Sequence, residues 1–200
     1  MGSKLGTLFA RAGHEVVFSY ARSKAKLTKL AHAAGKRARA GTPADATRDA
    51  DALLLAVHWS RVDDVFSQAG DLSNKVILSC CLPMNADDTE LVIAHTSSGA
   101  EALAKKVPNA IIVSAFSTVP SEVLFEIRKK RPKPSLVYCG DDPQSKAVAA
   151  ELIGDIGFDP IDAGPLSIAR FTEPFSLLVA RLAYEGKGGP EVAYRFQRYS

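Results

Sequence analysis

Four short segments carry the side chains that could do chemistry in this chain. They are residues 19–23, 57–62, 79–84 and 115–120, and each follows a short apolar run typical of a buried strand. In an open α/β sheet, ligands bind outside the carboxyl ends of the strands. The four segments therefore predict one composite binding site along one edge of a sheet.

The first segment, Ser19-Tyr-Ala-Arg-Ser23, has no acidic residue that would bind a ribose 2′-hydroxyl. It offers Arg22 instead, flanked by hydroxyl side chains and Lys24, which suits a 2′-phosphate. The pattern favours NADP over NAD. The alternative for the same residues is an ordinary solvated loop.

The second segment begins Val57-His58-Trp59, which we predict to lie along the nicotinamide side of such a cofactor, with Val62 packed behind. His58 is a candidate proton donor, although a single histidine at a strand end is more often structural. Trp59 is alternatively a core aromatic residue. In the third segment Cys81 is a candidate nucleophile by residue type, but the absence of a nearby base favours a small buried thiol.

The first two dozen residues have the order of half a dinucleotide-binding unit. A helix opens at Gly2 and ends at Gly13, and a strand over Glu15 to Phe18 follows. The full glycine fingerprint needs a buried strand and two further glycines before the third, which is Gly2 here. We expect an in-frame upstream extension that encodes a short apolar strand and Gly-x-Gly. The alternatives are a product that folds poorly and closure of the two inner strands onto each other.

Apolar runs and helical patterns alternate along the rest of the chain. They predict a doubly wound, Rossmann-like α/β fold with a parallel sheet, N-terminally truncated and carrying a C-terminal helical appendage. The predicted units are residues 1–164, an NADP-binding domain, and residues 165–200, a helical segment that packs on the domain or at a dimer interface. Further helices are predicted over residues 120–130, 166–185 and 190–198.

Composition narrows the function classes. In 200 residues, 25 Lys and Arg against 22 Asp and Glu leave a net charge of +3, so no general attraction to nucleic acid or membranes follows. The basic run Arg128 to Lys133 is predicted to be a solvated loop, because no aromatic residues are interleaved with it. The histidines and three cysteines show no metal-ligand spacing. We expect a cytoplasmic protein with reduced cysteines, no metal and no membrane partner.

The chain resembles one family in the order and spacing of several short motifs, from Gly2 to about Glu185. The family comprises predicted dinucleotide-binding enzymes related to deazaflavin (coenzyme F420)-dependent NADP oxidoreductase, and it is similar to the reductase domain of the six-transmembrane ferric reductases. The motifs are Gly2-Ser3, Ala12 to Val16, Ser19 to Ser23, Asp51 to Val57, Thr96 to Glu101, Ala115 to Thr118, Gly140 to Asp142 and Gly157 to Gly164.

The resemblance implies NADP(H) binding and hydride exchange with a flavin-like or deazaflavin acceptor. The residues that it implies at the cofactor are Gly2 and Ser3 at the phosphates, Arg22 and Ser23 at the 2′-phosphate, and Val57, His58, Trp59 and Pro83 along the molecule. Tyr20 and Val62 are further candidate cofactor-binding residues, from their places in the loop after the first strand and behind Val57 to Trp59. Those on the acceptor side are Phe116, Ser117 and Thr118. No acid or base is assigned, because juxtaposition of two rings supplies most of the advantage.

The predicted function is therefore an NADP(H)-dependent oxidoreductase, impaired if the first strand is absent. One alternative is a non-catalytic NADP(H)-binding or sensing protein, and another is a ligand-free interaction module. The helix from Leu166 places Phe171, Phe175, Leu178 and Leu182 on one face, which either covers the sheet or pairs with its copy in a homodimer.

Overall fold

The computed structural model describes residues 1–21, 23–127 and 131–199. Within them, helices and strands alternate in an α/β fold. The helices are α1 (Gly2–Ala12), α2 (Lys24–Ala34), α3 (Pro43–Asp49), α4 (Val62–Ala69), α5 (Gly99–Lys106), α6 (Pro143–Asp155) and α7 (Ala169–Tyr184). The strands are β1 (Val16–Phe18), β2 (Ala38–Ala40), β3 (Ala52–Leu55), β4 (Val76–Ser79), β5 (Ile111–Ser114), β6 (Ser135–Gly140) and β7 (Asp159–Asp162).

Local sequence accounts for most of these boundaries. α1 buries Leu5, Leu8 and Phe9 on one face and ends where Gly13 takes a left-handed φ of 113°. α3 begins with a capping box, in which the Thr42 side chain accepts from the Asp45 N–H and the Asp45 carboxylate accepts from the Thr42 N–H. These signals act within a few residues, so the sequence predicts them well.

The strands form two sheets. β1 pairs with β2 in parallel, and a second sheet has the order β3-β4-β5-β6-β7. The predicted Rossmann-like parallel sheet and C-terminal helix are confirmed, with one exception, because β6 runs antiparallel to β5. Only a short 3-10 helix, Ser121–Phe125, lies between these two strands in the described residues, and no α-helical crossover returns the chain to the starting edge.

A cleft of about 1170 Å³ separates the two sheets, and both β1 and β3 line it. In the described residues β1 pairs with β2 alone and β3 with β4 alone. The two inner strands have therefore not closed onto each other, which was one of the alternatives considered for this sequence.

Three local predictions were wrong. The strand β2 was not predicted. In place of an α-helix over 120–130 there is the 3-10 helix Ser121–Phe125, and residues 128–130 lie outside the described part. Residues 191–199 are not helical, and the Tyr194 carbonyl accepts a hydrogen bond from the Ser135 N–H at 2.8 Å instead. The tail thus runs beside the start of β6.

α7 packs on the domain through its inner face, which buries Glu173, Ser176 and Val179. Its outer face exposes apolar side chains instead. They are Phe171, Leu178 and Leu182. Pairing of this face with a second copy remains a prediction. None of the helices in the described residues has the length and apolar character needed to cross a membrane.

Candidate functional site

The amino end of α1 lies at the carboxyl edge of the sheets. Met1 stands at the cap position without a capping side chain, and no acidic residue lies in the first turn. The Met1 carbonyl already accepts from Lys4 and Leu5, which leaves the first N–H groups of the helix, including those of Gly2 and Ser3, without helical partners. A Cβ on Gly2 would lie 2.9 Å from the Ala56 Cβ, so only glycine lets this end approach β3 so closely. The result is an open, partially positive helix end.

Beyond β1, Tyr20 has a left-handed φ of 57° and reaches across to α4. Its hydroxyl donates to Asp64 Oδ2 at 2.5 Å, and this hydrogen bond raises the pKa of Tyr20 and lowers that of Asp64. Ser23 caps α2 by accepting from the Lys26 N–H. Arg22 lies outside the described residues.

After β3, His58 holds a turn in place with both ring nitrogens. The Ser60 N–H donates to Nδ1 at 3.2 Å, so Nδ1 acts as an acceptor and the proton lies on Nε2, which donates to Asp88 at 2.9 Å. This arrangement caps the 3-10 helix Trp59–Arg61 that precedes α4. The imidazole of His58 therefore has a structural role.

Behind this turn, Val62 is almost fully buried in the core between α4 and the sheet, and Val57 and Trp59 pack against the same cluster while partly exposed. Val62 therefore packs behind Val57 and Trp59, as the sequence predicts. Of the three, Val57 also lines the cleft beside Gly2 and Ala56.

Cys81 and Cys139 are buried and Cys80 is half-buried, and all three thiols keep their protons at neutral pH. Cys81 donates to the Val57 carbonyl at 3.1 Å, and burial raises its pKa to about 11. Burial likewise raises the pKa of Cys80, and raises that of Cys139 to about 12. A thiol that keeps its proton at neutral pH is a poor nucleophile. These contacts therefore describe packing and not a reactive centre.

Pro83, which follows β4, is buried against the start of α5. A Cβ on Gly99 would lie 2.8 Å from Pro83 Cδ, so this contact needs glycine. The Glu173 carboxylate of α7 accepts from the Gly99 N–H at 2.8 Å and the Ala100 N–H at 2.9 Å. Burial nevertheless raises the pKa of Glu173 to about 7, because desolvation outweighs these two hydrogen bonds.

The segment after β5 is covered by the C-terminal part of the chain. Phe116 is fully buried and packs edge-on against Phe9, at 6.0 Å between ring centroids. Thr118 is 1% exposed and shares a 2.7 Å hydrogen bond with the Tyr194 hydroxyl. Ser117 is partly exposed and accepts from Ser176 of α7 at 3.2 Å. Of the three, Ser117 keeps the most access to solvent.

The structure thus brings the predicted residues of α1, β1 and β3 to one edge and sets Phe116 and Thr118 inside the core. Sequence reasoning missed Asp64, Glu173 and Tyr194. Glu173 carried no signal in the sequence, because it lies on a different face of α7 from the apolar residues Phe171, Leu178 and Leu182. The other two act through contacts distant in sequence. Among the described residues, no cluster of His, Cys, Asp and Glu could hold a metal ion.

Comparison with known proteins gives a family match over the first part of the chain. Residues 1–83 match the model of the family described as NADP oxidoreductase, coenzyme F420-dependent. The resemblance inferred from the motifs is confirmed over these residues, which span α1 to the end of the segment after β4. This is the part that holds the open helix end, the Tyr20 loop and the His58 turn.

Two curated relatives are metalloreductases. The chain is 26% identical over 133 residues to metalloreductase STEAP3 of Rattus norvegicus and, over the same length, to metalloreductase STEAP2 of Homo sapiens. These matches cover 66% of the chain and 26% of each relative. The chain therefore spans about a quarter of the length of the curated relatives that it matches.

Solved structures show the same fold. A putative F420-dependent NADP-reductase from Arthrobacter sp. FB24 has a TM-score of 0.86 and 22% identity, with 98% of this chain and 94% of that one covered. The hypothetical protein SMa0349 from Sinorhizobium meliloti has a TM-score of 0.76 and 24% identity, with 98% and 91% covered. A reductive aminase from Aspergillus terreus in complex with NADPH has a TM-score of 0.64 and 18% identity, with 90% and 57% covered.

Proposed function

We propose that this protein is an NADP(H)-dependent oxidoreductase that exchanges hydride with a flavin-like or deazaflavin acceptor. The observation that carries the proposal is the uncapped amino end of α1 at the carboxyl edge, between the loops after β1 and β3. A helix end with free N–H groups binds phosphate well. The family match over residues 1–83, which contain this helix end, supports the same function.

Each predicted binding residue has a role in this proposal. Gly2 and Ser3 would hold the pyrophosphate through their N–H groups, and Arg22 with Ser23 would hold the 2′-phosphate. Val57 to Trp59 would contact the cofactor along its length, with Val62 and Tyr20 keeping the two loops in place. Pro83 would also lie along the cofactor. On the acceptor side Ser117 would face the acceptor, and the buried Phe116 and Thr118 would hold its segment in place. Ser117 has the best access.

The cofactor, when bound, supplies the hydride, and the chain supplies orientation and exclusion of water. This division of work fits the side chains near the site. The ring nitrogens of His58 are held by Ser60 and Asp88, and the Cys81 thiol keeps its proton. A transfer between two juxtaposed rings needs no proton relay at these positions.

Titration with NADPH tests cofactor binding, followed by calorimetry and by the fluorescence of Trp59, the only tryptophan. We expect Arg22→Ala to weaken NADPH binding by roughly 10- to 100-fold, as loss of charge-assisted hydrogen bonds does, and to leave NADH binding nearly unchanged. Lys29→Ala, an exposed cation on α2, is the matched control. An equal loss for both nucleotides would contradict the role given to Arg22.

Addition of a flavin or deazaflavin tests turnover, measured as acceptor-dependent loss of NADPH absorbance. The competing function is an NADP(H)-binding protein without turnover, and burial of Phe116 and Thr118 under the C-terminal part of the chain favours it. Binding of NADPH without acceptor-dependent oxidation would select that alternative. We also expect turnover to be impaired while the cleft beside Gly2 stays open, because the helix end is then held from one side only.

A further inference from the structure

Glu173 is a buried carboxylate to which the proposed function gives no role. It lies on the inner face of α7, is 2% exposed, and reaches the start of α5, where both of its oxygens accept hydrogen bonds. Burial of a charged group is costly unless hydrogen bonds compensate it, so such groups are rare away from functional sites. The contacts around Glu173 show which part of the molecule it holds.

The turn of α7 that carries Glu173 depends on side-chain contacts for its position. Pro174 follows directly and has no N–H, so this turn lacks one hydrogen bond of the helical ladder. Arg170, one turn earlier, donates two hydrogen bonds to Glu101 of α5, at 2.6 and 2.9 Å. Glu173 therefore joins α7 to the start of α5 beside a second, more exposed ion pair.

Gly99 carries this contact on to Pro83, which is buried after β4. A Cβ on Gly99 would lie 3.3 Å from Glu173 Oε1 and 2.8 Å from Pro83 Cδ, so it would meet both residues at once. Groups packed this closely cannot shift independently, because protein interiors have almost no free space. The position of Pro83 therefore depends on that of Glu173.

Pro83 in turn anchors the loop that follows β4. Its carbonyl accepts from the Val92 N–H at 2.7 Å, which closes the loop between these two residues. Within that loop, Asp88 accepts from His58 Nε2 at 2.9 Å. A continuous series of contacts thus runs from Glu173 to the turn after β3, where the cofactor is proposed to bind.

We propose that Glu173 is a positioning residue for the cofactor site. By holding Gly99 against Pro83, it fixes the loop after β4 and, through that loop, the His58 turn. The proposal rests on the proposed function for the cofactor, whereas the link from Glu173 to Pro83 rests on the contacts alone. Glu173 acts through its neighbours and is not a catalytic residue.

Two substitutions disturb these contacts in different ways. Glu173→Ala removes the carboxylate, and Gly99→Ala keeps it but adds a methyl group that has no space beside Pro83. We expect each to raise the amide exchange rate of Val92 at least roughly ten-fold, because its bond to the Pro83 carbonyl is weakened. The Ala115 amide, which donates to the end of β4, is the internal control and should keep its rate.

Calorimetric titration with NADPH tests the effect on the cofactor site. We expect both variants to raise the NADPH dissociation constant roughly three- to ten-fold, because part of the surface that contacts the cofactor is displaced. Arg170→Gln is the matched control, since it breaks the other contact between α7 and α5. It should change the Val92 exchange rate and the NADPH dissociation constant by less than roughly two-fold, as loss of a partly exposed ion pair does.

Three outcomes would overturn the proposal. They are unchanged Val92 exchange in both variants, unchanged NADPH affinity in variants whose Val92 exchange is faster, and an equal effect of Arg170→Gln, which would mean that α7 loosens as a whole. If Glu173→Ala gives no soluble protein, Gly99→Ala decides. A parent protein that does not bind NADPH would reject the proposed function and the role at the cofactor, and the Val92 exchange rates would still decide the link from Glu173 to Pro83.

Discussion

Replacing Glu173 with glutamine should remove a pH dependence from the stability of this protein. The carboxylate is 2% exposed and faces the start of α5. Burial raises its pKa from 4.5 to about 7, against the hydrogen bonds from Gly99 and Ala100. At about 1.4 kcal/mol per pKa unit, this shift corresponds to roughly 3 kcal/mol of unfolding free energy.

The sign follows from where the proton binds more tightly. Because the folded protein holds the Glu173 proton more tightly than the unfolded chain does, this residue stabilises the fold most below pH 4.5. That contribution is lost as the pH rises through about 7. A glutamine does not titrate, so the unfolding free energy of Glu173→Gln relative to the parent should rise by up to roughly 3 kcal/mol between pH 4.5 and 8.

Urea unfolding of both proteins at several pH values across this window measures the difference. Glu191→Gln, at an exposed position in the tail, is the control and should leave the pH profile of the parent unchanged. The reasoning is refuted if the Glu173→Gln and parent curves stay parallel, or if the variant loses stability relative to the parent as the pH rises. Parallel curves would mean that the two backbone hydrogen bonds balance the cost of desolvation, and a loss of stability with rising pH would mean that they outweigh it.

Two further substitutions test the packing around the site. Gly6→Val should destabilise the protein by about 1 to 3 kcal/mol, because a Cβ there would lie 2.4 Å from the Phe18 ring. At Gly154 an added Cβ has open space, so Gly154→Ala should stabilise α6 by about 0.5 to 1 kcal/mol. Equal effects of the two substitutions on denaturant unfolding would contradict this account. Tyr194→Phe should cost about 1 to 2 kcal/mol, since two hydrogen bonds of the hydroxyl are lost. Tyr199→Phe, at 90% exposure, should be neutral in the same thermal and denaturant measurements.

Sequence alone predicts the parts of the fold that local chemistry decides. Gly13 ends α1 because glycine tolerates a left-handed φ, and Thr42 begins α3 because its side chain bonds the third N–H of the helix. β2 was not predicted, because Ala38–Ala40 is short and contains no β-branched residue. It forms through its ladder with β1, which lies more than twenty residues away.

The candidate site also has parts that the sequence predicts and parts that depend on distant contacts. The open helix end and the loops after β1 and β3 follow from motif and position, and the family match covers them. The burial of Thr118 could not be predicted, because Tyr194 covers it from 76 residues away. The tail, residues 191–199, was predicted to be helical, and its position likewise depends on hydrogen bonds to the distant Ser135.

The reactivity of the buried thiols of Cys81 and Cys139 reports how often their surroundings open. Cys81 lies two residues after β4, and Cys139 lies in β6, with β5 between the two strands. A thiol with its pKa raised to about 11 or 12 and its sulfur enclosed reacts with a labelling reagent only when its surroundings open. The labelling rate of Cys81 therefore reports opening beside Val57, and that of Cys139 reports opening beside Leu166. A bound nucleotide that steadies the edge near Val57 would slow the first rate more than the second.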